Sequence, residues 1–227
     1  KFYGKKIASD RQEELQNYIL EGGFPRTIQL ENIAAKRRYV QSVIEEIFEK
    51  DIRRRLKIRN KNTFETVQKY IINNFAATTS LKSLKKAIEQ NGTAISEATI
   101  ARYVKALLDA KILCECPRFD MKSKKSLSGE KKYYLADTAF YFAQNTDNRI
   151  NFGPVLENIT YIYAKSHDYS VAVGRIGKLE CDFILRNNEM RYSYIQVAYT
   201  IALSKDTEDR EYRPLESIKD NYPKYVV

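Results

Sequence analysis

Three polar side chains in the last third of the chain have the types and spacing of a phosphodiester-cleaving site. Asp182 lies in the strand-like segment 179–185, and Gln196 follows one short hairpin later, in segment 194–198. Glu157 lies upstream, on a segment with helical spacing. Mg²⁺ prefers oxygen ligands, and cleavage also needs a positioned water and a positive charge. The pattern predicts that these three side chains share one site.

A site of this kind carries a lysine two residues after the polar residue of its second strand. This chain lacks that lysine. Gln196 is followed at that distance by Ala198, which can neither orient water nor supply charge. Lys178 or Arg175, on a neighbouring strand, is an alternative source of positive charge. We expect a nuclease-like site without cleavage activity, in which Asp182 and Glu157 are structural and are satisfied by backbone donors or by arginine. The alternative is residual metal binding at Asp182.

Other catalytic groups are weaker candidates. The single histidine, His167, falls at a helix-to-strand turn and is expected at the surface. The cysteines Cys114, Cys116 and Cys181 lack zinc-binding spacing, which favours a reduced, cytoplasmic setting. No GxxxxGK[ST] phosphate loop occurs, so this chain alone is not expected to hydrolyse ATP.

The composition is that of a water-soluble chain with sizeable cores. The 227 residues are 43% hydrophobic and 30% charged, enough for one large domain or two to three small ones. No apolar run approaches the ~20 residues of a membrane span, so no membrane partner is expected. The start lacks a methionine and a signal peptide, and the end resembles a strand cut short, so we expect a fragment of a longer protein.

Positive charge is concentrated in two segments. The net charge is +10, and residues 36–61 hold ten basic and four acidic residues. Residues 117–132 hold six basic and two acidic residues. Clustered positive charge is typical of nucleic-acid binding, so DNA is the expected partner. The alternative is a solvated helix face and a polar loop.

Residues 62–137 have the pattern of three helices followed by a β-hairpin. Asn62, Ser80 and Ser96 are placed to cap the three helices. Residues 112–116 and 132–135 have the composition of paired strands. This order is typical of a winged helix-turn-helix, which serves either DNA binding or protein docking.

The third of these helices is the expected reader of DNA. At 100° per residue, Thr99, Arg102, Lys105 and Ala106 lie opposite the apolar stripe, and Tyr103 lies at its edge. These side chains are predicted to enter a major groove. Lysines of the hairpin are predicted to contact phosphates: Lys122, Lys124, Lys125, Lys131 and Lys132.

The flanking regions differ in type. Residues 9–61 have helical spacing, with Asp10 as a first cap and the Gly22 to Pro25 turn as a stop. Residues 138–227 read as mixed α/β, with a helix beginning near Pro154 and three strands at 169–175, 179–185 and 192–198. The expected fold class is α+β and multi-domain.

Five stretches together resemble one family, the bacterial and archaeal AAA+ (P-loop) ATPases whose C-terminal half is a domain of unassigned function. The resemblance is carried by residues 18–25, 132–138, 153–158, 179–185 and 194–199. It implies that a P-loop ATPase core using ATP and Mg²⁺ precedes this chain. It also implies that Gly23, Phe24 and Pro25 form a lid turn that contacts nucleotide.

The resemblance further implies three domains. Residues 1–61 would be a helical ATPase lid, 62–145 a winged helix-turn-helix, and 146–227 a truncated restriction-endonuclease-like domain of the PD-(D/E)xK type. Glu157, Asp182 and Gln196 fall on the motif positions of that fold, and Ala198 departs from them. We therefore expect a non-catalytic DNA-binding and regulatory module. The alternatives are a Mg²⁺-dependent nuclease with a displaced lysine and a protein-interaction module.

Overall fold

The structure of the protein is a computed structural model that describes residues 9–58, 60–145, 151–199 and 205–227. It is a mixed α/β structure, as the sequence predicts. The chain forms two units, one of described residues 9–115 and 133–145, the other of 116–132 and 151–227. The predicted hairpin is therefore divided between the units, and residues 116–132 group with the region predicted to be nuclease-like.

The first unit is helical. Its helices are α1 Ser9–Glu21, α2 Ile33–Ile47, α3 Arg53–Arg55, α4 Lys61–Asn73, α5 Leu81–Gln90, α6 Glu97–Asp109 and α7 Ala139–Gln144. A 3₁₀ turn at Pro25–Gln29 precedes α2, and a π-helical turn at Phe48–Ile52 joins α2 to α3. The placement of Asp10's side chain lies outside what the structure describes.

Two of the three predicted helix caps are confirmed. Ser80 accepts a hydrogen bond from the backbone of Ser83, and Ser96 accepts one from Thr99. The third prediction is wrong, because Asn60 caps α4 by accepting from the backbone N–H of Thr63. Asn60 and Asn62 both have a side-chain amide oxygen that can accept this hydrogen bond, so residue type alone did not show which of them is the cap.

The core of the helical unit forms where α4 and α5 pack on α6. Phe64, Leu84, Ile100 and Leu107 are essentially inaccessible to solvent. The ring of Tyr103 lies edge-on to Phe64, with centroids 5.2 Å apart. The buried residues of each helix recur mostly at spacings of three and four, so burial of one face holds the three helices together.

The hairpin is longer than the sequence predicts. Strand β1 is Thr78–Thr79, β2 is Leu113–Asp120 and β3 is Lys125–Leu135. The polar stretch between the two predicted strands is mostly strand itself. Its turn is closed by Asp120, whose side chain accepts from the backbone N–H of Ser123 at 2.7 Å.

The second unit is built on a mixed sheet. Its elements are α8 Phe152–Ser166, β4 Ser170–Ile176, β5 Leu179–Arg186, β6 Tyr192–Gln196, α9 Lys205–Glu216 and β7 Lys224–Val226. The strand order in this unit is β3-β2-β4-β5-β6-β7. Strand β2 pairs parallel with β4 and β6 parallel with β7, whereas β4, β5 and β6 are antiparallel.

Helices α8 and α9 cover opposite faces of the sheet. Phe183 packs towards Tyr161 of α8, with ring centroids 6.2 Å apart. The next residue, Ile184, joins a cluster with Leu215 and Ile218 at the end of α9. Adjacent strand residues point to opposite faces, so α8, the sheet and α9 form three layers. None of the described helices has the length and apolar character required to cross a membrane.

Candidate carboxylate–lysine site

The three predicted site residues come together in the second unit. The carboxylate of Asp182 accepts a hydrogen bond from the backbone N–H of Val197 at 2.8 Å. The side-chain oxygen of Gln196 accepts from the N–H of Asp182 at 3.4 Å. Glu157 on α8 is close enough to Asp182 to perturb its pKa. The structure therefore brings together, from α8, β5 and β6, the three side chains that the sequence assigned to one site.

A β-bulge aims Asp182 into this site. Ala172 pairs with Ile184 and Gly174 with Cys181, so Val173 alone opposes two residues of β5, Asp182 and Phe183. The bulge also explains why Cys181 and Ile184, three residues apart, share the cluster under α9. Bulges redirect side chains where a regular strand would point them elsewhere.

A buried lysine on β3, Lys132, brings a positive charge to two glutamates of this unit. Its ammonium lies 2.8 Å from a carboxylate oxygen of Glu157 and 2.8 Å from one of Glu180. Lys132 is only 5% exposed. The prediction that Lys132 contacts phosphate on the surface is therefore wrong, and a buried ion-paired lysine stands in its place. The predicted alternative sources, Lys178 and Arg175, are not the ones used.

Glu180 extends the ion-pair network. Its second oxygen accepts from Arg118 at 2.7 Å, and Arg118 also donates to Glu130 at 2.5 Å. Arg118 is 8% exposed. The resulting chain of alternating charges runs from Glu130 through Arg118, Glu180 and Lys132 to Glu157. Alternation lets each buried charge face an opposite one, which offsets the cost of removing it from water.

The surroundings of Asp182 disfavour the ionised form of its carboxyl group. Burial, and then the nearby charge of Glu157, raise its pKa to about 7, against the opposing effects of the Val197 N–H and of Lys132. Burial disfavours the charged form of Lys132, but Glu157 and Glu180 outweigh it and hold the lysine pKa above its usual value. Lys132 is therefore charged at neutral pH, whereas Asp182 exchanges a proton near pH 7.

Gln196 connects the site to α9. Its amide nitrogen donates to Glu211 at 3.1 Å, and Glu211 is only 7% exposed. The other oxygen of Glu211 accepts from Arg210 at 2.8 and 2.9 Å. Gln196 is thus held by hydrogen bonds on both ends of its amide, which fixes its orientation.

The arrangement does not fit a resident divalent cation. Among the described residues, no three acidic, histidine or cysteine side chains are grouped so that they could hold a metal ion. Mg²⁺ needs several carboxylate oxygens directed at one point. Here the Lys132 ammonium lies against Glu157 and Glu180, and Asp182 is bonded to the backbone. A metal role for Asp182 stays a prediction.

Two of the three cysteines are buried. Burial raises the pKa of Cys116 and of Cys181 to about 12, so neither forms a thiolate at neutral pH. His167 is exposed after the end of α8, as predicted, and its Nδ1 lies 2.9 Å from the carbonyl oxygen of Tyr163.

Only part of the predicted DNA-reading face of α6 is exposed. Arg102 and Lys105 are exposed and Thr99 is half-buried, but Tyr103 and Ala106 are buried. Tyr103 lies three residues after Ile100 and four before Leu107, so it belongs to the apolar face and not to its edge. The placement of Tyr103 and Ala106 on the reading face is therefore wrong.

The exposed basic residues of α6 border a small cavity. The cavity has a volume of about 90 Å³ and is lined by Arg55, Arg102 and Lys105, together with Asp51 and Asp109. Asp109 pairs with Lys105 at 3.1 Å. Positive charge therefore exceeds negative charge by one side chain on this surface.

The hairpin lysines separate into two groups. Lys122, Lys124 and Lys125 are exposed at the turn, whereas Lys131 is half-buried and Lys132 is buried. The turn lysines are available for contact with a polyanion.

The predicted nucleotide-contacting turn is bound to another part of the helical unit. The N–H of Gly23 donates to Asp137 at 2.8 Å, and the other carboxylate oxygen of Asp137 accepts from the N–H of Ala139 at 2.8 Å. The ring of Phe24 packs edge-on against Phe140, 5.4 Å away. Pro25 begins the 3₁₀ turn. A nucleotide role for this turn stays a prediction.

The sequence analysis did not assign Glu180, Arg118, Lys132 or Glu211 to this site. Glu180 could have been predicted, because it precedes Asp182 by two residues on the same strand. Arg118 and Glu211 carried no such signal, and Lys132 was predicted only as a phosphate contact, because the contacts that define these three side chains come from other elements.

The comparisons with known proteins place the chain in one family. The profile of a domain of unknown function (DUF8612) matches residues 12–149, and the chain belongs to that family. An uncharacterised protein of Haemophilus influenzae is 25% identical over 210 residues, which are 92% of this chain and 51% of that protein.

A second relative comes from an archaeon. The uncharacterised protein MJ1544 of Methanocaldococcus jannaschii is 26% identical over 227 residues, which are 95% of this chain and 49% of that protein. The chain thus spans about half the length of the curated relatives it matches. No solved structure matches it.

Proposed function

We propose that this chain is a non-catalytic, DNA-binding and regulatory module of a larger cytoplasmic P-loop ATPase. In this proposal the second unit is a restriction-endonuclease-like domain whose site has lost cleavage. ATP and Mg²⁺ would be bound by the ATPase core outside this chain. The partners of this chain would be that core, DNA and a protein that responds to the nucleotide state of the ATPase.

The contact of Lys132 with Glu157 and Glu180 is the observation that carries the proposal. In a cleaving site, carboxylate oxygens must be available to a metal ion that activates water. A buried ammonium that lies within 2.8 Å of both glutamates neutralises them from within the chain. The site then keeps its charge balance without a cation and lacks the group that would activate water.

The element order along the chain supports DNA binding. Helices α4, α5 and α6 followed by a hairpin have the sequence order of a winged helix-turn-helix, with α6 in the reading position. In the helical unit, Arg102 and Lys105 are exposed on α6 and suit base edges or phosphates. In the second unit, Lys122, Lys124 and Lys125 at the hairpin turn separately suit phosphates.

The length of the relatives supports a larger protein. This chain covers 51% and 49% of the two curated relatives, so each has room for a further domain the size of an ATPase core. The resemblance of residues 18–25 and 132–138 to AAA+ ATPases gives that domain its proposed type.

Cleavage and binding assays on the same chain test the proposal. We expect labelled duplex DNA to bind, with an affinity that falls as salt rises by roughly 0.9 log units per phosphate contact. Plasmid and single-stranded DNA should stay intact with Mg²⁺ or Mn²⁺. The double substitution Arg102→Ala/Lys105→Ala should weaken duplex binding about tenfold or more.

The matched control is Lys85→Ala/Lys86→Ala on α5, which removes an equal charge from a neighbouring helix. Cleavage by the native chain that is lost in Asp182→Ala would support the nuclease with a displaced lysine instead. Absence of duplex binding at low salt would support the protein-interaction module.

A further inference from the structure

A large groove in the described part of the second unit lies away from the carboxylate–lysine site. It has a volume of about 1090 Å³ and opens on the face of the sheet that carries α9. Its apolar floor is formed by Phe119, Met121, Ile176 and Ile184. Pockets for small molecules measure ~300–1,000 Å³, so an open groove of this size suits a short stretch of a polymer.

Aromatic rings line one side of the groove. The rings of Tyr192 and Tyr222 lie 5.4 Å apart at 60° to each other, and Tyr222 is 41% exposed. The hydroxyl of Tyr194 donates to Asp220 at 2.6 Å, so that tyrosine is held in place. Tyr222 therefore offers a ring face to an occupant of the groove.

The charge around the groove is predominantly positive. Lys122 and Lys124 approach from the hairpin turn, and Arg186 and Lys219 from the sheet and the end of α9. The one acidic side chain among the lining residues, Asp220, is engaged by Tyr194 and by Lys224, 3.4 Å away. Within the described chain, Lys122, Lys124 and Arg186 form no ion pair, so their charge is available.

We propose that this groove binds single-stranded nucleic acid. Exposed rings beside a basic groove are the features by which proteins hold single strands, because bases stack on the rings while cations follow the phosphates. Paired bases in a duplex are already stacked on each other and cannot reach Tyr222 in this way. The inference rests on the nucleic-acid function proposed for the hairpin lysines. It adds a second binding site and specifies single strands as its ligand.

Four variants of the full chain test the groove by fluorescence anisotropy with labelled oligo-dT and labelled duplex. Tyr222→Ala should weaken oligo-dT binding about tenfold, whereas Tyr222→Phe should retain it, because the ring still stacks. Arg186→Ala/Lys219→Ala should lower the salt slope by roughly 1.4 log units, at about 0.7 per phosphate on a single strand. All three should leave duplex affinity unchanged.

The control is Tyr163→Ala, which removes a tyrosine that is 64% exposed on α8 and should change neither affinity. Far-ultraviolet circular dichroism confirms that each variant is folded. Oligo-dT binding that is equal in native chain and groove variants overturns the inference. So does groove-dependent binding of an acidic peptide without any binding of oligo-dT.

Failure of this inference and failure of the proposed function are distinguishable. If duplex binds through Arg102 and Lys105 while oligo-dT does not bind, only the groove inference fails. If neither nucleic acid binds at low salt, both fail.

Discussion

The ammonium of Lys132 lies 2.8 Å from a carboxylate oxygen of Glu157, although the two residues are 25 positions apart and belong to a strand and a helix. The same nitrogen lies 2.8 Å from Glu180 on β5. One buried side chain therefore joins three elements of the second unit.

Loss of the Lys132 charge should destabilise the protein strongly. Lys132→Met keeps the length of the side chain but removes the ammonium from Glu157 and leaves Glu180 with Arg118 alone. Removal of one partner from a buried ion pair costs about 3–5 kcal/mol of unfolding free energy. Urea unfolding measures the change. Lys125→Met, an exposed residue of the same strand, is the control and should stay within about 0.5 kcal/mol.

A second substitution should recover part of this loss. Lys132→Met/Glu157→Gln removes the carboxylate charge of Glu157 together with its lysine, so the double variant should be more stable than the sum of the two single changes by about 0.5–3 kcal/mol. Strict additivity in the double-mutant cycle would mean that the two side chains do not interact.

Asp182 should make stability depend on pH. Folding raises its pKa from 3.8 to about 7, so between these values the folded chain keeps a proton that the unfolded chain has released. The unfolding free energy contributed by this group therefore falls as pH rises through that window. Asp182→Asn mimics the protonated form and should stabilise the protein by on the order of 2–4 kcal/mol near pH 8.

At low pH, Asp182→Asn should gain much less unfolding free energy over the native chain. Near pH 4 the native carboxyl is already protonated in the folded chain, so the difference from asparagine becomes small. Thermal unfolding of both proteins across this range gives the measurement. A stability difference that does not change with pH would contradict the raised pKa.

Gly22 should be intolerant of a side chain for two separable reasons. Its φ is +73°, and a Cβ would lie 2.0 Å from a carboxylate oxygen of Asp137 and 2.5 Å from the Cβ of Ala139. Gly92 has a similar φ of +83° but open space around it. Gly92→Ala therefore measures the cost of a side chain at positive φ alone, about 1–2 kcal/mol of unfolding free energy. Gly22→Ala should cost at least about 1 kcal/mol more by thermal unfolding, because Asp137 must also move.

Mg²⁺ should not stabilise the isolated chain. A ligand that binds the folded state raises stability in proportion to the logarithm of its concentration over its dissociation constant. With Lys132 between Glu157 and Glu180, millimolar Mg²⁺ should leave the melting temperature unchanged, as should a chelator. Ca²⁺ is the control for general effects of divalent ions. A rise with Mg²⁺ that is absent in Asp182→Asn would place a metal at this site.

Local features of the sequence predicted much of the architecture. Ser80 and Ser96 bond to backbone groups three residues away, so their caps follow from short-range geometry. Apolar spacing predicted α6, and the alternation and turn residues predicted β5 and β6. The cluster of Glu157, Asp182 and Gln196 followed from the positions of these residues on successive elements.

Contacts between distant segments decided the rest. The bulge at Asp182 depends on how β4 pairs with β5, and no local spacing specifies that pairing register. Burial of Tyr103 required the packing of Phe64 from α4 against it. The sequence determined by itself the helices, the strands and the acidic side chains of the site. The tertiary structure alone decided that Lys132 balances their charge, because only the folding of the hairpin onto the sheet brings that nitrogen to Glu157 and Glu180.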